Sequence, residues 1–161
     1  RLAMIVGNTP GNDLKLDEND IRGYKKFANK IWNASRFVIE QTKDLDISKL
    51  PDLDEEDKKS DEELKVLVKG ITKEMDEFRF SIVAEKLYHY FWHTFADIVI
   101  ERSKAKIIKN KNILSAKSLL YTHLDILLKV LHPFMPFVTE EIWSMIPKKS
   151  KNILMIEKWP Y

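Results

Sequence analysis

Long stretches of helical periodicity, uninterrupted by turn residues, are the feature that most constrains how this chain folds. The clearest stretch runs from Gly23 to Val38, where apolar and small residues recur three and four positions apart. The sequence of 161 residues holds only four glycines and six prolines, so it offers few sites for tight turns. The sequence therefore predicts an all-α fold, a helical bundle of about five helices.

Capping and breaking signals give approximate bounds for these helices. Asp17 is a candidate N-cap of the first helix, which is predicted to end near Thr42. Residues 43–59 lack a helical period and are predicted to be a surface connection, after which Ser60 and Glu63 fit a capping box for the second helix. The third predicted helix runs from about Glu77 to Lys106, with a core stripe of Ala84, Leu87, Tyr88, Phe91, Phe95 and Ile98. The fourth ends at His132, before a proline, and has a core stripe of Leu120, Leu124, Leu127 and Leu131. The fifth is short and runs from about Val138 to Met145.

The length of the chain suits one domain with a sizeable core. Residues 1–16 are predicted to be a linker, residues 17–147 the helical bundle, and residues 148–161 a C-terminal tail. The chain begins at Arg1 and carries no signal-like segment, so we expect it to be a piece of a longer polypeptide.

Charge is segregated along the chain, although the formal net charge is only +2. The segment from Asp52 to Glu63 holds eight acids and two lysines, and the segment from Arg102 to Lys117 holds six basic residues and no acid. The basic block, with a predicted loop at residues 104–112, favours an anionic partner, although a merely solubilising loop remains an alternative. The acidic run is expected to have no partner.

A second face of the first predicted helix carries Lys26, Lys30, Asn33 and Phe37, at steps of four, three and four residues. These steps align side chains along one line of a helix. Such a line suits an unpaired nucleotide, since an aromatic ring stacks on a base, an amide reads a base edge and lysines bind phosphates. The alternative is an ordinary solvated helix face with Phe37 tucked under a neighbouring helix.

Several other chemistries are not expected. The chain has no cysteine, which excludes disulfides and thiol catalysis. His89 and His93 are four residues apart but lack the pattern of a zinc enzyme, so no metal site is predicted and partly buried, hydrogen-bonded histidines are expected instead. Asp97 and Glu101 are expected to pair with Arg102 or a neighbouring helix. No apolar run approaches the roughly 20 residues that span a bilayer, so no membrane partner is expected.

Three regions give the chain a specific resemblance. They are the segment 11–37 with its run Asn29–Phe37, the segment Tyr88–Glu101, and the run Leu131–Trp143. In these regions the chain resembles the anticodon-binding domain of valyl-tRNA synthetases. The run Asn29–Phe37 favours the valyl type, whereas the last run is shared in looser form with the isoleucyl and leucyl enzymes. The resemblance covers nearly the whole chain and is weakest at residues 43–75.

The resemblance implies a function for the site residues. Lys30, Asn33 and Phe37 would contact the unstacked anticodon bases, with Arg36, Glu101 and Lys104 near the same groove by analogy. From the basic block we expect phosphate contacts on the anticodon stem, and its candidates are Lys104, Lys106, Lys109 and Lys111.

The resemblance also implies a parent enzyme, a ligase that uses ATP to join valine to its tRNA. The two ATP-binding signatures of the family, His-x-Gly-His and Lys-Met-Ser-Lys-Ser, do not occur in this chain. No catalytic residue or cofactor is therefore expected in this fragment, and ATP and magnesium would bind elsewhere in the parent. The expected partners are the anticodon stem-loop of a tRNA and the catalytic domain of the same polypeptide, in a monomeric, cytoplasmic enzyme.

Two alternatives stay open. One is the same module of an isoleucyl- or leucyl-tRNA synthetase. The other is a helical protein-interaction bundle whose basic block is incidental, which would require an exposed apolar patch in place of a cationic groove. Binding to an RNA hairpin that weakens steeply with salt would separate RNA binding from protein interaction.

Overall fold

The computed structural model describes residues 1–7, 18–147 and 152–160, and within these ranges it is helical without a strand. Asp17 and most of the predicted linker lie outside the described residues. The elements are α1 (Leu2–Ile5), α2 (Glu18–Thr42), α3 (Glu55–Asp76), α4 (Phe80–His89), a π-helical segment (Tyr90–Val99), α5 (Ile100–Ile108), α6 (Ile113–Leu131), α7 (Pro136–Met145) and a 3-10 turn (Leu154–Ile156). The prediction of an all-α bundle is confirmed, with five long helices when α4, the π-helical segment and α5 are counted as one.

One long helical rod is formed by α4, the π-helical segment and α5, because the junction residues Tyr90 and Ile100 keep right-handed helical dihedral angles. The amide of Ile100 donates to the carbonyl of Phe95, five residues back, which is the π-helical bond. The wider turn changes which side chains face the core. Buried positions now recur every four residues, at Leu87, Phe91, Phe95, Val99 and Ser103. The prediction that Ile98 belongs to the core is therefore wrong, and its side chain is exposed.

The start of α3 also differs from the prediction. The helix begins at Glu55, and the side chain of Asp54 caps it by accepting a hydrogen bond from the amide of Asp57 at 2.9 Å. Acids in the first turn are stabilised there by the helix dipole. Ser60 lies inside the helix, where its hydroxyl accepts a hydrogen bond from Arg102, so the predicted capping box is wrong. The surface connection accordingly ends at Asp54, not at residue 59.

The core is built from the predicted apolar stripes of α2 and α6. Phe27, Ile31 and Val38 of α2 are fully buried. The predicted stripe of α6 is also confirmed, since all four of its leucines are buried. On α3, the indole N–H of Trp159 donates to Thr72 at 2.8 Å, so this part of the predicted tail packs on the bundle.

The direction of α2 relative to the rod determines where the candidate site lies. Three contacts join them in increasing order along both helices, Phe27 with Phe91, Lys30 with Asp97, and Phe37 with Lys104. The two helices therefore run side by side in the same direction. In the described part of the chain, no helix combines the length and the apolar character needed to cross a membrane.

Candidate nucleic-acid interface

The predicted line of side chains on α2 lies beside the rod. Lys26, Asn33 and the neighbouring Arg36 are exposed, and no hydrogen bond or ion pair joins their side chains to any residue that the structure describes. Lys30 and Phe37 are half-buried. The exposed side chains of the line are thus available to a ligand, whereas Lys30 and Phe37 are held by contacts with the rod.

Lys30 is held between a carboxylate and an aromatic ring. Its Nζ donates to Oδ1 of Asp97 at 2.8 Å and lies 5.4 Å from the ring centroid of Trp92. Oδ2 of Asp97 lies 3.8 Å from Nδ1 of His93, one turn earlier on the rod. The expectation that Asp97 pairs with a neighbouring helix is confirmed. The pair fixes the Lys30 ammonium at the border between α2 and the rod.

Phe37 lies between the two alternatives that the sequence left open, a ring presented to a ligand and a ring tucked under a neighbouring helix. The ring packs partly against the core, so it does not stand clear of the bundle. The Nζ of Lys104 lies 4.9 Å from its ring centroid, within the range of a cation–π contact. The same ammonium donates to Glu101 at 2.7 Å. Phe37 therefore serves the packing of α2 while the Lys104 cation lies over its ring.

Together these side chains form one surface, the α2–rod groove. It consists of Lys26, Lys30, Asn33 and Phe37 on α2 and of Asp97, Glu101 and Lys104 on the rod. His93, Asp97 and Glu101 stay on one edge of the rod because they are spaced by four residues, as the buried positions are. The groove offers cations, an amide, an aromatic ring and two exposed carboxylates.

The basic block is not a loop, and half of it faces inward. Lys104 and Lys106 lie within α5, and only residues 109–112 form the turn before α6. Lys106 donates to Asp54 and to Asp57, both at 2.8 Å, and its side chain is 12% exposed. Arg102 donates to Asp57 at 3.2 Å. The expectation that the acidic run has no partner is wrong, because its partner is the basic block.

Asp57 is the centre of this cluster. Its side chain is fully buried, and besides the two cations it accepts a hydrogen bond from Ser115 at 2.5 Å. Burial raises the pKa of the neighbouring Asp54, but hydrogen bonds from Lys106, the Asp57 amide and Asn112 outweigh it and hold that pKa at about 2. Burial likewise lowers the pKa of Lys106, whereas hydrogen bonds with the two aspartates produce a net upward shift of its pKa. Asp54 and Lys106 are thus ionised at neutral pH, and the cluster fastens α3 to α5 and α6.

The turn after α5 presents the remaining lysines. Asn110 adopts a left-handed conformation with φ of 55°, and the amide of Lys111 donates to the carbonyl of Lys106 at 2.9 Å, which closes the helix in a Schellman motif. Lys109 and Lys111 are exposed and have no ion pair with a described residue. They are two exposed cations in the turn after the rod, beside the acidic start of α3.

Two groups of side chains have the residue types of a metal site, the histidines of the rod and the carboxylates at the start of α3. His89 and His93 are exposed, which corrects the expectation that they are partly buried. In the described chain, the carboxylates of Asp54, Glu56 and Asp57 come close enough together to share a cation. Their oxygens already face Lys106 and Arg102, so the positive charge they need is supplied by the protein.

Sequence reasoning did not identify the two residues that hold Lys30, since it named no particular partner for Asp97 and gave Trp92 no role in the site. Both belong to the run that carries the family resemblance, but their roles depend on the contact between α2 and the rod. The spacing of 67 residues between Lys30 and Asp97 gives no local signal for that contact.

Comparison with known proteins gives the family of this all-α bundle. A family model described as the anticodon-binding domain of tRNA ligase matches residues 57–161. The chain is 38% identical to a valine–tRNA ligase of Thermotoga maritima and 37% identical to one of Carboxydothermus hydrogenoformans, over 99% of this chain in both cases. It is 32% identical to a valine–tRNA ligase of Aquifex aeolicus, again over 99% of this chain.

The chain belongs to the family of anticodon-binding domains of tRNA ligases. It spans 18% of the length of the Thermotoga and Carboxydothermus proteins and 15% of the Aquifex protein. The relatives named here are all valine–tRNA ligases, which is the type that the run Asn29–Phe37 favours.

Proposed function

We propose that the chain binds the anticodon stem-loop of a tRNA in the α2–rod groove, as the anticodon-binding part of a valine–tRNA ligase. The observation that carries this proposal is the alignment of Lys30, Asn33 and Phe37 along one edge of the groove, with Lys104 over the ring. The family match and the names of the relatives supply the kind of RNA.

An unstacked base would stack on Phe37. The Lys104 ammonium lies over the ring at 4.9 Å, and a base on that face would displace it. Stacking replaces one contact with the ring by another, and the freed lysine can then bind the adjacent phosphate. Base-on-aromatic stacking is worth roughly 1–3 kcal/mol, which is enough to select a loop with splayed bases over a paired stem.

Asn33 and Lys30 would read the edge of a neighbouring base. An asparagine amide offers two N–H donors and a carbonyl acceptor, and Asn33 is exposed without a partner among the described residues. Lys30 uses one of its three N–H donors on Asp97, so two remain for a base edge.

Phosphate contacts would come from the exposed cations around the groove. These are Lys26 and Arg36 on α2 and Lys109 and Lys111 in the turn after α5. Lys106 is left out of the proposed interface, because three carboxylates already surround its ammonium.

The remaining proposals concern the parent protein, of which the chain spans 18% in the Thermotoga relative. We propose that the parent is a monomeric, cytoplasmic ligase that attaches valine to tRNA with ATP and magnesium, and that this chain works joined to its catalytic part. The carboxylate cluster of Asp54, Glu56 and Asp57 is neutralised by Lys106 and Arg102 and does not fit a nucleotide-bound magnesium ion. No step with ATP is therefore assigned to these residues.

The experiment is a titration of the 161-residue chain with RNA hairpins that carry a valine anticodon or a single changed anticodon base, at several salt concentrations. We expect tighter binding of the valine anticodon and a log–log slope of roughly −0.7 to −0.9 per neutralised phosphate. Replacing Lys109 and Lys111 by alanine should weaken both hairpins alike and flatten the slope. The matched control replaces the exposed Lys69 and Lys73 of α3 and should change nothing. Binding that is insensitive to salt and anticodon would refute the proposal.

A further inference from the structure

The ion pair between Lys30 and Asp97 places one of the two exposed carboxylates of the groove beside a lysine of the proposed RNA surface. Asp97 is nearly half exposed, with a side-chain accessibility of 45%, and Lys30 has 32%. A pair this open to water contributes little to the stability of a fold. An exposed carboxylate beside lysines also repels phosphates, so its presence in the groove calls for another explanation.

The geometry restricts what Lys30 can do. Its ammonium is fixed from two sides, by Asp97 at 2.8 Å and by the ring of Trp92 at 5.4 Å from the centroid. A lysine in solution is a mobile point charge that follows the backbone of any nucleic acid. A lysine held in one place, with its charge balanced by a carboxylate, instead presents directed N–H donors.

We propose that Asp97 is a specificity-determining, positioning residue of the groove. It holds the Lys30 ammonium in place for the edge of the correct base and reduces the attraction of that ammonium for phosphates of any sequence. This inference rests on the proposed function and adds to it a way of weakening the binding of RNAs with other anticodons. Specificity is a difference between two affinities, so weaker binding of the wrong RNA increases it.

A second lysine of the bundle provides a matched comparison. The Nζ of Lys129 donates to Asp125 at 2.7 Å and lies 5.4 Å from the ring centroid of Trp143, which reproduces the surroundings of Lys30. That pair lies within one turn of α6, whereas the pair of Lys30 and Asp97 bridges α2 and the rod at the groove. Asp125→Asn therefore removes the same charge from the same kind of pair outside the proposed interface.

The experiment measures dissociation constants of the chain and its variants for the hairpin with a valine anticodon and for hairpins with one changed anticodon base, over a series of salt concentrations. In Asp97→Asn we expect the changed hairpins to bind about five- to tenfold more tightly, while the valine hairpin changes by about twofold or less. For the changed hairpins, the slope of the log binding constant against the log salt concentration should become more negative by roughly 0.7. This change corresponds to one additional phosphate contact made by the released Lys30.

A double variant separates positioning from a general change of charge. If Asp97 acts through Lys30, Asp97→Asn should have no effect on discrimination in a Lys30→Ala background. Three outcomes would overturn the inference while leaving the proposed function intact. Asp97→Asn could raise the affinity for all hairpins equally, or raise it by the same factor in the Lys30→Ala background. Asp125→Asn could also change the affinities in the same way as Asp97→Asn. A wild-type chain that binds no hairpin in a salt-dependent way would overturn both.

Discussion

Phe37 shows how one side chain serves both the core and the surface. Its ring packs partly against the buried cluster, and the Lys104 ammonium lies over it. The sequence placed Phe37 off the core stripe, and on that basis its truncation would have left the fold intact. The partial burial changes this expectation, because lost apolar contacts now add to the lost stacking surface.

We expect Phe37→Ala to weaken binding of the valine hairpin by about tenfold to a hundredfold, which corresponds to the loss of one stacked base. The same change should lower the free energy of unfolding by about 1–2 kcal/mol, less than the roughly 3–5 kcal/mol of a fully buried phenylalanine. Urea denaturation and hairpin titration of the same sample measure the two effects.

The matched control is Phe80→Ala, a partly exposed phenylalanine on α4 and therefore at the other end of the rod from Lys104. It should change hairpin binding by less than about twofold. A Phe37→Ala chain that loses several kcal/mol of stability but binds RNA normally in its folded fraction would show that Phe37 is purely structural.

His123 on α6 is a buried group that the groove does not use. It is fully buried, and neither ring nitrogen has a hydrogen-bond partner among the described residues. Burial lowers the pKa of His123 from 6.5 to about 4, mainly because the charged imidazolium loses its hydration. The folded chain therefore holds this histidine neutral at pH values where the unfolded chain protonates it.

This predicts a loss of stability in mild acid. Between pH 6.5 and about 4 the unfolded chain binds a proton that the folded chain does not, so the free energy of unfolding falls by about 3 kcal/mol and then levels off with respect to this group. Denaturant titrations at successive pH values should show this fall. It should be much smaller in His123→Phe and unchanged in His93→Phe, whose parent histidine is exposed.

At the scale of elements, the contacts between the start of α3 and α5 turn two opposite charge blocks into one buried cluster. Asp57 is fully buried between Arg102 and Lys106. Removing one partner of a buried pair costs about 3–5 kcal/mol when the other charge is left without compensation. Asp57 would keep Arg102 and Ser115 after the loss of Lys106, which places the expected cost at the lower end of this range. Two lysines of the same helix, Lys104 and Lys106, should therefore respond differently to replacement.

We expect Lys106→Ala to destabilise the fold by about 3 kcal/mol while the folded fraction still binds the hairpin normally. Lys104→Ala should do the reverse, with weaker hairpin binding and a change in stability below about 1 kcal/mol. Thermal melting combined with hairpin titration distinguishes the two outcomes. Equal effects of both variants on binding would show that Lys106 also contacts RNA.

The helices that could be predicted are those whose signals are local. The bounds of α2 and α6 follow from apolar spacing, from the end of the period near Thr42 and from Pro133 after His132. The start of α3 was missed because an acidic run looks like a solvated loop until its cations are known. The exposure of Ile98 was missed because a π-helical segment changes the spacing of buried residues, and α-helical periodicity cannot anticipate that change.

The same distinction holds for the candidate site. The line of Lys30, Asn33 and Phe37 could be predicted, since these residues lie on one helix. The carboxylate partners of Lys106 could not, because they are 52 and 49 residues away in sequence. Only the packing of α3 against α5 removes Lys106 from the surface and leaves Lys104, Lys109 and Lys111 there.

At the scale of the whole molecule, the proposed RNA surface lies on one side of the bundle. Two parallel helical elements, α2 and the rod, form a groove of cations, an amide and an aromatic ring, and Lys109 and Lys111 lie exposed in the turn after α5. Helix α6 packs against both α2 and α5 and so holds the two elements side by side. An RNA loop should therefore touch one side of the bundle and leave α7 and the exposed face of α3 free.

The most direct test is an amide NMR titration of the chain with the hairpin that carries a valine anticodon. We expect chemical-shift changes concentrated in residues 26–37 and 97–111, with small changes in α3 between residues 62 and 73 and in α7. A hairpin with a changed anticodon base should reproduce the changes at Lys109 and Lys111 but reduce those around Asn33. Shifts centred on α3 or α7, or shifts identical for both hairpins, would contradict the central claim.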